Sequence, residues 1–203
     1  MLPLVPTKGN LMSTKKSYEL SKVGFDLLDR KRNILIREMM SLIDRANKIQ
    51  GQIDQTYSKA YKQLQMANTT LGICDEISRT VDIDDSLVLS YRSVMGVEIP
   101  ILTINEEEQM KIPFGLNSTN SLLDKAYLSF LEVKRLTTEL AEIENSVYRL
   151  AVSIKKTQKR ANSLKNIIIP RFERNIKFIS DALEEKERED FSRLKVIKKT
   201  KCK

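Results

Sequence analysis

Two clusters of carboxylates are the side chains best placed to do chemistry, and neither carries the spacing that chemistry needs. Asp82, Asp84 and Asp85 offer hard oxygen ligands for Mg²⁺ or Ca²⁺, but the glycine and closing glutamate of a calcium-binding loop do not follow. They read as a solvated turn. Glu184, Glu185, Glu187 and Glu189 alternate with Lys186 and Arg188. That alternation laces a helix face with i,i+4 ion pairs and does not set up a catalytic dyad. The chain has no histidine, so the commonest general base and metal ligand is missing. No GxxxxGK[ST] or GxGxxG segment is present to cradle phosphate. Cys74 and Cys202 form no CxxC pair and no disulfide framework. No catalytic, cofactor-binding or metal-ligating residue is assigned, no cofactor is expected, and an enzyme is not expected.

Basic residues gather at Lys15-Lys16, Arg30-Lys31-Arg32, Lys155-Lys156, Lys159-Arg160 and from Lys195 to Lys203. No stacking aromatics are interleaved with them and no nucleic-acid module is visible, so direct nucleic-acid binding is not expected. The net charge of +8 is uneven. Residues 1–72 hold 12 basic and 6 acidic side chains, residues 73–113 hold 3 and 9, and residues 114–203 hold 20 and 12. Basic arms around an acidic middle suit partners with complementary faces.

The elements that position these groups are long helices. Charged residues make up 31% of the chain and aromatics 6%, with only 6 Gly and 5 Pro, a composition of extended helices and not of a thick core. Residues 1–12 read as an extended N-terminal segment and 13–75 as a first long helix. Its apolar stripe runs Leu20, Val23, Leu27, Ile34, then Leu35, Met39, Leu42, Ala46, Ile49, Ile53, Tyr57, Ala60, Leu64, Ala67 and Leu71, with a mean period near 3.5. Residues 117–197 read as a second long helix, with N-cap candidates Asn117, Ser118 and Thr119. Its stripe runs from Leu122 to Ile168 with soft spots at Ser129 and Thr157, and resumes at Phe172, Ile176, Ile179 and Leu183. Pro170 falls inside it, so a kink near 170 is expected.

The acidic connector, 76–116, contains two β-prone runs at 87–104 split by Met95-Gly96, which reads as a hairpin. Pro100 demotes its strand to an edge. The fold class that follows is mainly α: a long antiparallel two-helix, left-handed coiled coil with a short β-hairpin insert. Residues 198–203 form a basic tail. No apolar stretch approaches the roughly 20 residues of a membrane span, and the cytoplasm is the expected compartment.

The wording of the arms resembles a known family. Pro6-Thr7-Lys8-Gly9-Asn10-Leu11 and KVGFDLLDRKRNILIREM at 22–39 look like the amino-terminal arm of the D subunit of V/A-type rotary ATPases. KRANSLKNIIIPRFERNIKFISDALEEKEREDFSRLKVIK at 159–198 is similar to that family's carboxy-terminal arm, with Lys165 departing where an acidic residue is usual. The resemblance implies a non-catalytic central stalk, a rotor axle that transmits torque between a membrane ion-carrying ring and a head of catalytic A and B subunits. It further implies as partners the A and B subunits, the F subunit and the ring-coupling C subunit (called d in eukaryotes). The implied place is peripheral, on the cytoplasmic side, meeting the membrane only through the complex. A coiled-coil scaffold without a rotary role is the alternative reading.

Overall fold

The computed structural model describes residues 5–79, 81, 86–104, 114, 115 and 119–201. Asp82, Asp84, Asp85, Pro113, Asn117, Ser118, Cys202 and the glutamates at 106–108 lie outside the described residues. Along the chain come α1 (Lys8–Leu71), α2 (Asp75–Ser78), β1 (Leu87–Val94), β2 (Val97–Ile104), α3 (Ser121–Ser163), a π-helical turn (Leu164–Ile168) and α4 (Ile169–Lys201). The architecture is the expected one: long helical arms with an antiparallel hairpin between them. The chain forms two compact units, Ile34–Ile154 and Met1–Asn33 with Lys155–Lys203.

In the Ile34–Ile154 unit, the seam follows the sequence stripe. Leu35, Leu42, Ile49, Ile53, Ala60 and Ala67 are the buried residues of α1. They recur at heptad spacing, the period that winds a left-handed supercoil. Leu35, Leu42, Ile49 and Ile53 share one cluster with Leu136, Ile143 and Leu150 of α3. Cross-helix contacts fix the direction: Arg45 pairs with Glu139, Gln63 with Ser129 and Thr70 with Asn120, so one number falls as the other rises. Burying a leucine or isoleucine fully contributes about 1.5–3 kcal/mol. The soft spot Ser129 is 7% exposed and donates its hydroxyl proton to Gln63 Oε1, which satisfies it inside the seam.

The helix ends in this unit have local causes. Gly72 follows α1 with φ +80°, and its N–H donates to the Asn68 carbonyl at 3.0 Å. This is the left-handed C-terminal stop that glycine supplies. The start of α3 differs from the reading of 117. Asn120 is the cap: its Oδ1 accepts from the N–H groups of Leu122 and Leu123, each at 3.1 Å, so the helix begins at Ser121.

The hairpin turns at Met95 (φ 51°) and Gly96 (φ 73°), both left-handed as a tight two-residue hairpin turn requires. Val94 pairs with Val97 and Leu87 with Ile104. The β2 strand lies against the helices: Ile99 is 2% exposed and joins the seam cluster, while most of β1 is exposed.

In the other unit, the seam corrects the sequence reading. Leu20, Val23 and Leu27 are 63%, 55% and 60% exposed, and Ile34, at the start of the neighbouring unit, is 38% exposed. Counting heptads back from Leu35 explains why. The inward positions are Leu28, Phe25, Ser21, Tyr18, Thr14 and Leu11, all half-buried, so Leu20 and Leu27 sit one residue out of phase with the seam and Val23 two. Polar contacts add to these apolar positions. Arg32 Nη1 donates to Gln158 Oε1 at 2.8 Å, and Tyr18 Oη donates to Glu173 Oε1 at 2.7 Å. The helix also starts earlier than Ser13, at Lys8, because Thr7 Oγ1 accepts from the Asn10 N–H at 3.2 Å.

Pro170 does not split its helix. The π-helical turn at Leu164–Ile168 precedes it and α4 continues to Lys201. A π turn accommodates one extra residue. The stripe shows it: an unbroken heptad would place residue 171 inward, whereas half-buried Phe172 and Ile176 and fully buried Ile179 lie one residue later.

Candidate interaction surfaces

The described residues hold no cluster of three or more potential metal ligands. The glutamates at the end of α4 are exposed, and their contacts are ion pairs: Arg188 with Glu184 at 3.9 Å and Lys8 with Glu187 at 3.0 Å. Such exposed pairs contribute under about 1 kcal/mol each. Cys74 is a free thiol beside an open apolar groove of about 360 Å³. Leu64, Ile73, Phe114, Leu123, Tyr127 and Phe130 line that groove. No described helix is long and apolar enough to cross a membrane.

What remains is surface. On α1 the exposed line Leu20, Val23 and Leu27 alternates with the basic groups Lys15, Lys16, Arg30 and Lys31. On α4, Phe191, Leu194, Val196 and Ile197 are each at least half exposed, interleaved with Arg193, Lys195, Lys198 and Lys199. Apolar stripes of this extent on a surface mark places that another molecule covers. Basic residues were legible in the sequence; the outward turn of the apolar line was not, and the phase of the heptad counted from Leu35 is the signal that finds it.

Lys22 is fully exposed, with Nζ 4.4 Å from the centroid of the Tyr18 ring. Hydrogen bonding to Tyr18, then the charges of Tyr18, Glu173 and Asp26, hold its ammonium above the ordinary lysine range. A raised lysine stabilises fully below its unfolded value and loses that contribution only as pH rises through the folded one. The link is therefore constant across neutral pH.

A chain of this kind is a paired-helix protein with apolar and basic residues on its outer faces. It belongs to the ATP synthase D-subunit family, whose pattern it matches over residues 10–199. It is 44% identical over 199 residues to the V-type ATP synthase D subunit of Thermotoga neapolitana, covering 97% of this chain and 98% of that protein. The A-type ATP synthase D subunit of Thermococcus sibiricus is 34% identical over 202 residues, covering 98% and 94%. That of Methanopyrus kandleri is 36% identical over 196 residues, covering 95% and 84%. The chain is thus one component of a V/A-type ATP synthase complex and works with that complex's other components.

Proposed function

We propose that the chain is the non-catalytic central stalk of the complex, transmitting torque between the membrane ring and the A/B head and coupling ATP synthesis or hydrolysis to H⁺ or Na⁺ transport. Its partners in this reading are the A and B subunits, the F subunit, and the C (d) subunit toward the ring, on the cytoplasmic side of the membrane. The observation that carries it is the inversion on α1. Thr14, Ser21 and Arg32 face the helix pair while Leu20, Val23 and Leu27 face out. A helix that turns part of its apolar set outward suits contact with a surrounding wall.

The physics suits that role. Two helices bonded along their length resist twisting better than one. A two-helix shaft is asymmetric, so turning it presents different faces to chemically identical sites in the head. The coupling is differential contact with alternative conformations of those sites, and no residue here need touch nucleotide. Exposed lysines and arginines add weak pairs that break and re-form during rotation.

The test is Leu20→Asp with Leu27→Asp in the assembled complex. Both side chains are at least 60% exposed, so folding is preserved. The expected result is loss of head binding, or hydrolysis without ion transport. Charge reversal at Lys15, Lys16, Arg30 and Lys31 should weaken coupling less. Normal assembly and normal ATP-driven ion transport in the aspartate variant would refute the stalk reading.

A further inference from the structure

The two edges of the hairpin are finished differently. In an antiparallel pair closed by a two-residue turn, alternate residue pairs hold the ladder and the pairs between them turn their N–H and C=O outward. Here Val94↔Val97, Arg92↔Ile99, Ser90↔Ile101 and Val88↔Thr103 are the ladder pairs, and Ser93↔Glu98, Tyr91↔Pro100 and Leu89↔Leu102 face outward. On β2 those outward groups are used. Leu102 N–H donates to Glu142 Oε2 at 2.8 Å, and the Glu98 carbonyl accepts from Arg149 Nη1 at 3.2 Å. Between them stands Pro100, buried and with no N–H to satisfy. The β2 edge is thus closed by α3.

The β1 edge is open. The outward backbone groups of Leu89, Tyr91 and Ser93 meet no hydrogen-bond partner among the described residues. Leu87, Val88, Leu89 and Tyr91 are 46–54% exposed, so apolar side chains stand partly in solvent on both faces of the strand. Natural edges are blunted by lysine, proline, bulges or a covering element. β1 has no proline or lysine, and its one charge, Arg92, is paired with Glu38 at 3.1 Å.

We propose that β1 is a docking edge on which an extended strand from another component of the synthase adds by main-chain hydrogen bonds. The occupant is apolar at alternate positions, packing on Leu89 and Tyr91 across one face and Val88 across the other, and carries no cation opposite Arg92. A second copy of this chain is a poorer occupant, because each copy carries +8 and like-charged chains repel. The inference rests on membership of the complex and not on the stalk reading.

Residue-resolved amide hydrogen exchange of the isolated chain and of the complex purified from membranes tests it. Ser90 and Arg92 donate within the ladder and should be slow in both. Leu89, Tyr91 and Ser93 should be fast in the isolated chain and slow by about tenfold or more in the complex. Leu89→Pro removes one outward donor and no ladder bond, as Pro100 does on β2; Leu89→Ala keeps the donor. The proline variant should lose protection at Tyr91 and Ser93 in the complex, and the alanine variant should keep most of it. Fast exchange at all three amides in the wild-type complex would overturn the proposal, whatever the variants do. So would equal losses in the two variants, which would show side-chain burial alone, or protection that appears on concentrating the isolated chain, which would show self-pairing. A complex that transports ions normally with these amides still fast would remove the docking edge and leave the stalk reading standing.

Discussion

Shortening Leu150 to alanine measures how much the seam stabilises the Ile34–Ile154 unit. Leu150 is 0% exposed and packs in one cluster with Leu35 and Ile143. The change deletes three carbons, worth about 2.4 kcal/mol at roughly 0.8 kcal/mol per buried methylene. A cavity adds to this, since two helices joined along a rigid seam collapse only partly; buried Leu→Ala changes span about 2.7–5.0 kcal/mol. The expected loss is about 3–4 kcal/mol. Leu128→Ala makes the same chemical change on the same helix, but Leu128 is 64% exposed. Alanine is also the better helix former, so that variant should stay within about 0.5 kcal/mol of the parent. Urea unfolding followed by far-ultraviolet circular dichroism compares them. Because the chain has two compact units, amide exchange within the seam is the second readout, and a single two-state transition is not assumed. Equal losses in the two variants, or a loss under about 1 kcal/mol for Leu150→Ala, would refute the seam as the source of stability.

Asn120→Ala deletes the side-chain acceptor for two orphan N–H groups of α3 and should cost about 1 kcal/mol in urea unfolding, with the first turn of α3 exchanging faster. Gly51 is exposed in mid-helix, and a Cβ there would meet nothing within 4 Å, so Gly51→Ala should raise stability by about 1 kcal/mol. Deleting Ile167, which is 63% exposed, together with Pro170→Ala should turn the π turn into α-helix and leave stability within about 1 kcal/mol. Deleting the exposed Val152 from α3 should instead rotate the following stripe by about 100° and destabilise the chain far more; similar losses in the two deletions would mean the π turn holds no extra residue.

The parts of the fold that could be read from the sequence are those in which the chain buries its own residues. From Leu35 to Leu71 the apolar period and the buried seam coincide, because α3 supplies the covering surface. The hairpin was legible from Met95-Gly96 and the runs on either side, and Pro100 marked an edge because its strand position points away from the ladder. The π turn was written as one surplus residue between Leu164 and Phe172, visible only once the heptad is counted through it. What escaped depends on contacts distant in sequence. The closure of the β2 edge needs Glu142 and Arg149 from α3, which no local pattern announces.

The misread stripe on α1 has the same cause in reverse. Leu20, Val23 and Leu27 are apolar and periodic, so they look like a seam, yet the seam beside them is a mixed one of Leu11, Thr14, Tyr18, Ser21, Phe25, Leu28 and Arg32. Hydrophobic periodicity reports that a face is to be covered; it does not report by whom. Within the Ile34–Ile154 unit the cover is the chain's own second helix. In the unit of the two termini part of the apolar set lies outward, and polar contacts such as Arg32 to Gln158 join half-buried Phe25 and Leu28 and fully buried Ile179 in holding the helices to each other. Such a division suits a component of an assembly, because a face spent on self-burial could not also meet a partner.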